Sequence, residues 1–174
     1  VVEAPFNAID VTSETRGYSL GITQPVLRTN DTTLGLKASL DRRQSRAFLL
    51  GEPFSFSPGV RNGESVTTVL RVGQDWSRRG TDSVLAARST FALGLDALHA
   101  TRNANLPDSR FMSWIGQVQW ARRVPLGQVI CRADVQVSTD ALLPLEKFAL
   151  GGANSVRGYR ENELVRDRGF LASA

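Results

Sequence analysis

The chain has 174 residues, of which 41% are hydrophobic and 22% charged, and its formal net charge is +4. That length supports one domain with a sizeable core. Apolar runs of only a few residues exclude a spanning helix, which needs about 20, but not a barrel, in which alternate residues face lipid.

At the start, residues 1–12 carry Glu3, Pro5 and Asp10 and have no basic region ahead of an apolar stretch, so no secretion signal opens the chain. The beginning of the protein is therefore expected upstream of Val1. Period-two alternation follows. Tyr18, Leu20 and Ile22 oppose Ser19 and Thr23, and a tight turn is written at Arg28 to Asp31. Leu34, Leu36, Ala38 and Leu40 then oppose Thr33, Lys37, Ser39 and Asp41, and Arg42 to Glu64 reads as a longer polar connection.

Next, Val66, Leu70, Val72 and Trp76 oppose Thr67, Arg71 and Asp75, with a tight turn at Arg79 to Asp82. Leu85, Ala87, Phe91, Leu93 and Leu95 oppose Arg88, Thr90 and Asp96, ahead of a polar stretch from His99 to Asp108. Met112, Trp114, Gly116, Val118 and Trp120 alternate with Ser113, Ile115, Gln117 and Gln119. Pro125 and Gly127 supply the chemistry of a turn from Val124 to Gly127. Val129, Cys131, Ala133, Val135 and Val137 oppose Gln128, Arg132, Asp134, Gln136 and Ser138, with Ile130 the apolar exception. A last long connection, Asp140 to Asn162, precedes a seventh strand starting near Glu163.

These segments predict strands of about ten residues, the length that crosses a bilayer when tilted. Connections run short, long, short, long, short, long. Outer-membrane barrels have that asymmetry, because periplasmic turns are short and extracellular loops long; a β-sandwich has no reason to keep every second loop short. Trp76, Trp114 and Trp120 suit an interfacial girdle or the packed face of a sheet. The fold class is all-β, an antiparallel transmembrane β-barrel fragment occupying residues 1–174. Seven strands fall short of the about eight that close a barrel, so more strands are expected beyond the chain.

The chemistry of enzymes is not written here. A sequence pI of about 10.0 raises nucleic acid as a partner, but the arginines are spread along the chain, so they read as lumen and loop cations. The lone Cys131 and lone His99 fall in different hairpins, so neither a disulfide nor thiol catalysis is expected. No catalytic residues, metal ligands or cofactor emerge. The pore-lining candidates are Arg71, Asp75, Arg88, Asp96, Arg132 and Asp134.

The sharpest motif is Gly151-Gly152-Ala153-Asn154-Ser155-Val156-Arg157-Gly158-Tyr159-Arg160-Glu161-Asn162. Paired glycines permit positive φ, and a planar guanidinium between Val156 and Gly158-Tyr159 suits a bidentate bond to a carboxylate in a confined site. With Asp167-Arg168-Gly169 and Phe170-Leu171-Ala172-Ser173, this stretch resembles the barrel region of the Omp85 superfamily. More narrowly it resembles the two-partner secretion transporters, or haemolysin secretion/activation proteins. Ser13 to Gly21 and Gln24-Pro25-Val26 also resemble strands of that family.

The resemblance implies a monomeric barrel of about sixteen strands in the bacterial outer membrane, preceded by POTRA domains absent from this chain. It implies passage of a secreted exoprotein in extended form. Gly151, Gly152, Val156, Arg157, Gly158 and Tyr159 would then lie on a loop folded back into the lumen, with Glu163 onward beginning the next strand. Assembly factors of the superfamily that insert other barrels carry a similar arginine motif, usually followed by a longer insertion than this chain has, and form the alternative. A soluble β-rich binding module is the alternative of another class.

Overall fold

The structure is a computed structural model that describes residues 10–104, 107–152 and 162–174. Among the described residues ten strands follow one another: β1 (Val11–Arg28), β2 (Thr32–Leu49), β3 (Glu52–Pro53), β4 (Glu64–Arg79), β5 (Ser83–Leu95), β6 (Met112–Val124), β7 (Gly127–Ser138), β8 (Phe148–Leu150), β9 (Leu164–Arg166) and β10 (Gly169–Ser173). A 3₁₀ turn, Pro144–Glu146, precedes β8. The main sheet has the order β1-β2-β4-β5-β6-β7-β10, with β3 appended to β2. Every neighbouring pair in it is antiparallel. It is an open section of barrel wall. Tight turns join β1 to β2, β4 to β5 and β6 to β7 at one end, and the long connections all lie at the other.

Cross-strand register aligns apolar residues into rows. Leu20, Leu40, Leu70, Leu93 and Met112 are successive partners, and Ile22, Ala38, Val72, Phe91, Trp114 and Val137 form the next row. Partners directly opposite each other share a face, so along these rows one face of the sheet is apolar. Burial is inverted relative to a water-soluble fold. Leu20 is 79% exposed, Val72 52% and Phe91 50%, whereas Thr67, Ser113, Gln136 and Ser138 are buried on the other face. From Leu93 to Leu85 the apolar stretch of β5 runs about 26 Å at about 3.3 Å per residue. Tilted by about 40°, that spans about 20 Å, close to the about 25 Å apolar band of outer-membrane barrels. Gln24, Gln74 and Ser89 interrupt the face, and Trp114 Nε1 donates to Ser89 Oγ at 2.9 Å.

Three expectations need correction. The strands run to 18 residues in β1 and β2, not about ten. The segment Arg42 to Leu49, read as connection, is strand, with Arg43 paired to Gly17 and Thr67. The apolar alternation stops in Arg42 to Arg46 while the backbone ladder continues, and the β4 partners Ser65, Val66, Thr67 and Thr68 are buried there. The seventh wall strand starts at Gly169 rather than near Glu163. Leu164–Arg166 instead pairs with Phe148–Leu150 in a separate two-stranded ribbon. Gly169 sits against Phe148, where a Cβ would overlap the ring.

The packed core lies on the polar face, beneath the last connection. Val69, Ala92 and Phe111 meet Leu142 there, and Leu143 beside it is fully buried. The long connections interlock as well. Asn103 Nδ2 donates to the carbonyls of Gly59 at 3.0 Å and Pro107 at 2.7 Å. A Cβ at Gly59 (φ +86°) would fall 2.8 Å from a Leu143 methyl.

Candidate functional site

Alternation and register place Arg71, Asp75, Arg88, Arg132 and Asp134 on the polar face. Arg88 and Asp75 are cross-strand partners and form an ion pair. Gln117 Nε2 donates to Asp134 Oδ1 at 2.8 Å, and Arg132 stands opposite Gln119. These side chains border an open recess of about 750 Å³ toward the tight-turn end, with Thr23 and Thr33. Asp96 stands apart from that group: it follows the last residue of β5 and pairs with Arg102 at 3.1 Å. Gly151 and Gly152 adopt φ of +122° and +88°, the conformation that glycine permits. Val156, Arg157, Gly158 and Tyr159 lie outside the described residues.

Arg71 is the centre of the arrangement. Its guanidinium binds Asp41 Oδ2 on the neighbouring strand at 2.6 Å and reaches Glu146 Oε2 on the 3₁₀ turn with its other arm. The side chains of Arg71, Asp41 and Glu146 are only 17%, 13% and 7% exposed. Asp41 also accepts from the Ser19 hydroxyl and from Ser39 Oγ at 3.2 Å, and Thr67 Oγ1 donates to Glu146 Oε1 at 3.4 Å. Desolvated charges persist only when paired and hydrogen-bonded in this way.

The rest of the last connection is tied to the wall on the β7 side. Gln136 Nε2 donates to the Glu146 carbonyl at 3.0 Å, and Arg168 Nε to the Ser138 carbonyl at 2.8 Å. Asp167 Oδ1 accepts from the Leu142 backbone N–H at 3.0 Å and lies 3.6 Å from Lys147 Nζ. The inbound arm (residues 139–150) and the outbound arm (164–168) thus form a stem, held by the β8–β9 ribbon and leaning across the polar face. It leaves β7 and ends on Arg71 of β4, three strands away, or about 14 Å at about 4.8 Å per strand.

Sequence reasoning placed Arg71 and Asp41 on the right face but missed Glu146, Asp167 and their docking. A signal was present. Leu142, Leu143 and Leu145 are out of place in a solvated loop, and they mark a segment that packs. Cys131 and His99 lie toward opposite ends of the sheet, Cys131 on the apolar face opposite Trp120 and His99 in a long connection. Among the described residues no group of three or more His, Cys, Asp or Glu is arranged to hold a metal.

A wall with an apolar outside, a polar inside and a loop stem docked inward defines a β-barrel fragment of the outer-membrane type. The family model of the haemolysin secretion/activation proteins ShlB/FhaC/HecB matches residues 1–173, and the chain belongs to that family. Among solved structures, CdiB from Escherichia coli superposes with a TM-score of 0.82 at 22% identity, over 94% of this chain and 30% of that one. CdiB from Acinetobacter baumannii gives a TM-score of 0.71 at 16% identity, over 94% and 28%. The chain therefore spans about a third of the length of either. No curated protein matches it.

Proposed function

We propose that the full-length protein is an outer-membrane transporter of the two-partner type, passing a secreted exoprotein through its barrel in extended form. The inverted burial carries this reading. An outer face of Leu20, Ile22, Val72, Phe91, Leu93 and Val137 has no stable partner in water but matches hydrocarbon. The soluble binding module would have to leave that whole face wet. Inside, Asp75 with Arg88, Gln117 with Asp134, and Arg132 offer alternating donors and acceptors. An unfolded chain sliding past such a wall exchanges water for wall contacts and back without forming a tight complex.

Residues 1–174 form part of one monomeric barrel in this reading, with POTRA domains upstream to collect the exoprotein and further strands downstream to close the wall. In this reading the loop that carries Val156, Arg157, Gly158 and Tyr159 folds back into the lumen, and these residues anchor it. The reaction breaks no bond and uses no cofactor. Membership of a secretion family favours cargo release over insertion of other barrels.

In the full-length protein, Arg157→Ala is expected to lower exoprotein secretion about tenfold or more, the worth of one charge-assisted hydrogen bond. Heat-modifiable barrel should still be present in outer-membrane fractions. Secretion at the wild-type level would remove the role assigned to the loop.

A further inference from the structure

We infer that Arg16, Tyr18 and Arg42 form a site on the outer face of the wall for a phosphate of lipid A, the phosphorylated glycolipid of the cell-surface leaflet, with Leu20 and Leu40 beneath it against the lipid's chains. The inference rests on the reading of the chain as part of an outer-membrane barrel. It concerns the lipid side of the wall rather than the lumen.

Register fixes the face and the level. Arg42 lies two residues beyond Leu40 and Tyr18 two residues from Leu20, so both share the face of those leucines, and β1 and β2 stay in step throughout this stretch. Tyr18 and Arg42 are the first partners above the Leu20–Leu40 pair, and Arg16 and Gln44 are the next. At about 3.3 Å per residue and a tilt of about 40°, the two pairs stand about 5 and about 10 Å above the last apolar row. Hydrocarbon gives way to headgroups at that level. The long connections leave from this end of the sheet, which in barrels of this class is the cell-surface side.

The cations there are short of anions. Arg42 Nε donates to the Leu98 carbonyl at 3.2 Å, which orients the guanidinium, and among the described residues its two terminal amino groups have no acceptor. Arg16 has only Glu14, at 3.8 Å and well exposed, a pair worth little. Glu64, in the row above, is already taken by Arg46 at 3.5 Å and by Gln44. On β4 the partner of Arg42 is the buried Thr68, whose hydroxyl donates to the Ala97 carbonyl at 2.9 Å. The Ala97–Leu98 turn therefore bounds the site on that side and leaves the Leu98 side chain exposed.

Phosphate fits this arrangement. Arg16 and Arg42 are diagonal neighbours across the strand pair, about 7–8 Å apart, a span that two long side chains can close around one anion. A guanidinium meets phosphate with two parallel hydrogen bonds. Tyr18, exposed beside them, brings an amphipathic ring with a hydroxyl at its tip, as suits the membrane interface. Arg43, the next residue, points to the other face, paired with Gly17 and Thr67, and is the natural control.

Native mass spectrometry of the full-length protein in mild detergent tests the site, with lipid A, dephosphorylated lipid A or phosphatidylglycerol added. Lipid A should be retained over both others. Arg42→Gln should weaken its retention about tenfold, Arg42→Gln with Arg16→Gln further, and Arg43→Gln not at all. Arg42→Lys, with the charge kept and the fork lost, should fall between, and it covers the case in which Arg42→Gln fails to insert. Heat-modifiable migration is the folding control. Equal losses for Arg42→Gln and Arg43→Gln, or equal retention of phosphatidylglycerol or of the dephosphorylated lipid, would overturn the inference. A nitroxide at Leu20 keeps the two readings apart. Water contact there would sink the barrel itself, whereas lipid contact without any preference for lipid A would sink only the site.

Discussion

Gly94 shows how little room the polar face leaves where the last connection docks. Its place on β5 lies against Ser109 and Phe111, and a Cβ there would overlap both the Ser109 carbonyl and the Phe111 ring. Phe111 packs with Val69, Ala92 and Leu142, so the strain would pass to the buried cluster under the stem. Gly94→Ala is expected to cost about 1–3 kcal/mol through overpacking. The check is the urea midpoint for unfolding in lipid vesicles. No change would mean that the connection yields and the packing there is loose.

The strands were the legible elements. Alternation assigned Leu70, Val72 and Trp76 to one face and Thr67, Arg71 and Asp75 to the other, and the register agrees pair by pair. The limits of the strands were not legible. Arg42 to Arg46 carry no apolar period, yet the ladder continues through them against the buried Ser65 to Thr68 of β4. The stem was hidden for a different reason: Glu146 and Arg71 are 75 residues apart, and a single sequence cannot pair distant charges. At this scale the two faces should respond oppositely to a cation. Val72→Arg is expected to destabilise the inserted barrel by about 2–4 kcal/mol, while Ser77→Arg on the polar side should cost less than about 1 kcal/mol. Equal penalties in vesicle refolding would mean that the two faces are not distinguished by lipid.

For the whole molecule, the arrangement predicts a map of accessibility. Nitroxides at Leu93, Val129 and Val135 of the inserted protein should collide with oxygen dissolved in lipid, and one at Gln128 with a water-soluble relaxation agent. Gln136 is the informative exception. It shares the polar face but lies under the Glu146 backbone at 5% exposure, so a probe there should be shielded from both. Water-accessible labels at Leu93 and Val135 would end the barrel reading altogether.

Interlocked connections also decide where a reporter can be spliced into the long-connection end of the sheet. Gly51 has φ +82° and open space around it, so an epitope placed in that bend hangs free. Gly59 is wedged between Pro107 and Leu143, and Leu143 shares its turn with Glu146. A tag at the second site would push on the stem itself, and an antibody bound to it would disturb the packing of the last connection while seeming only to label it.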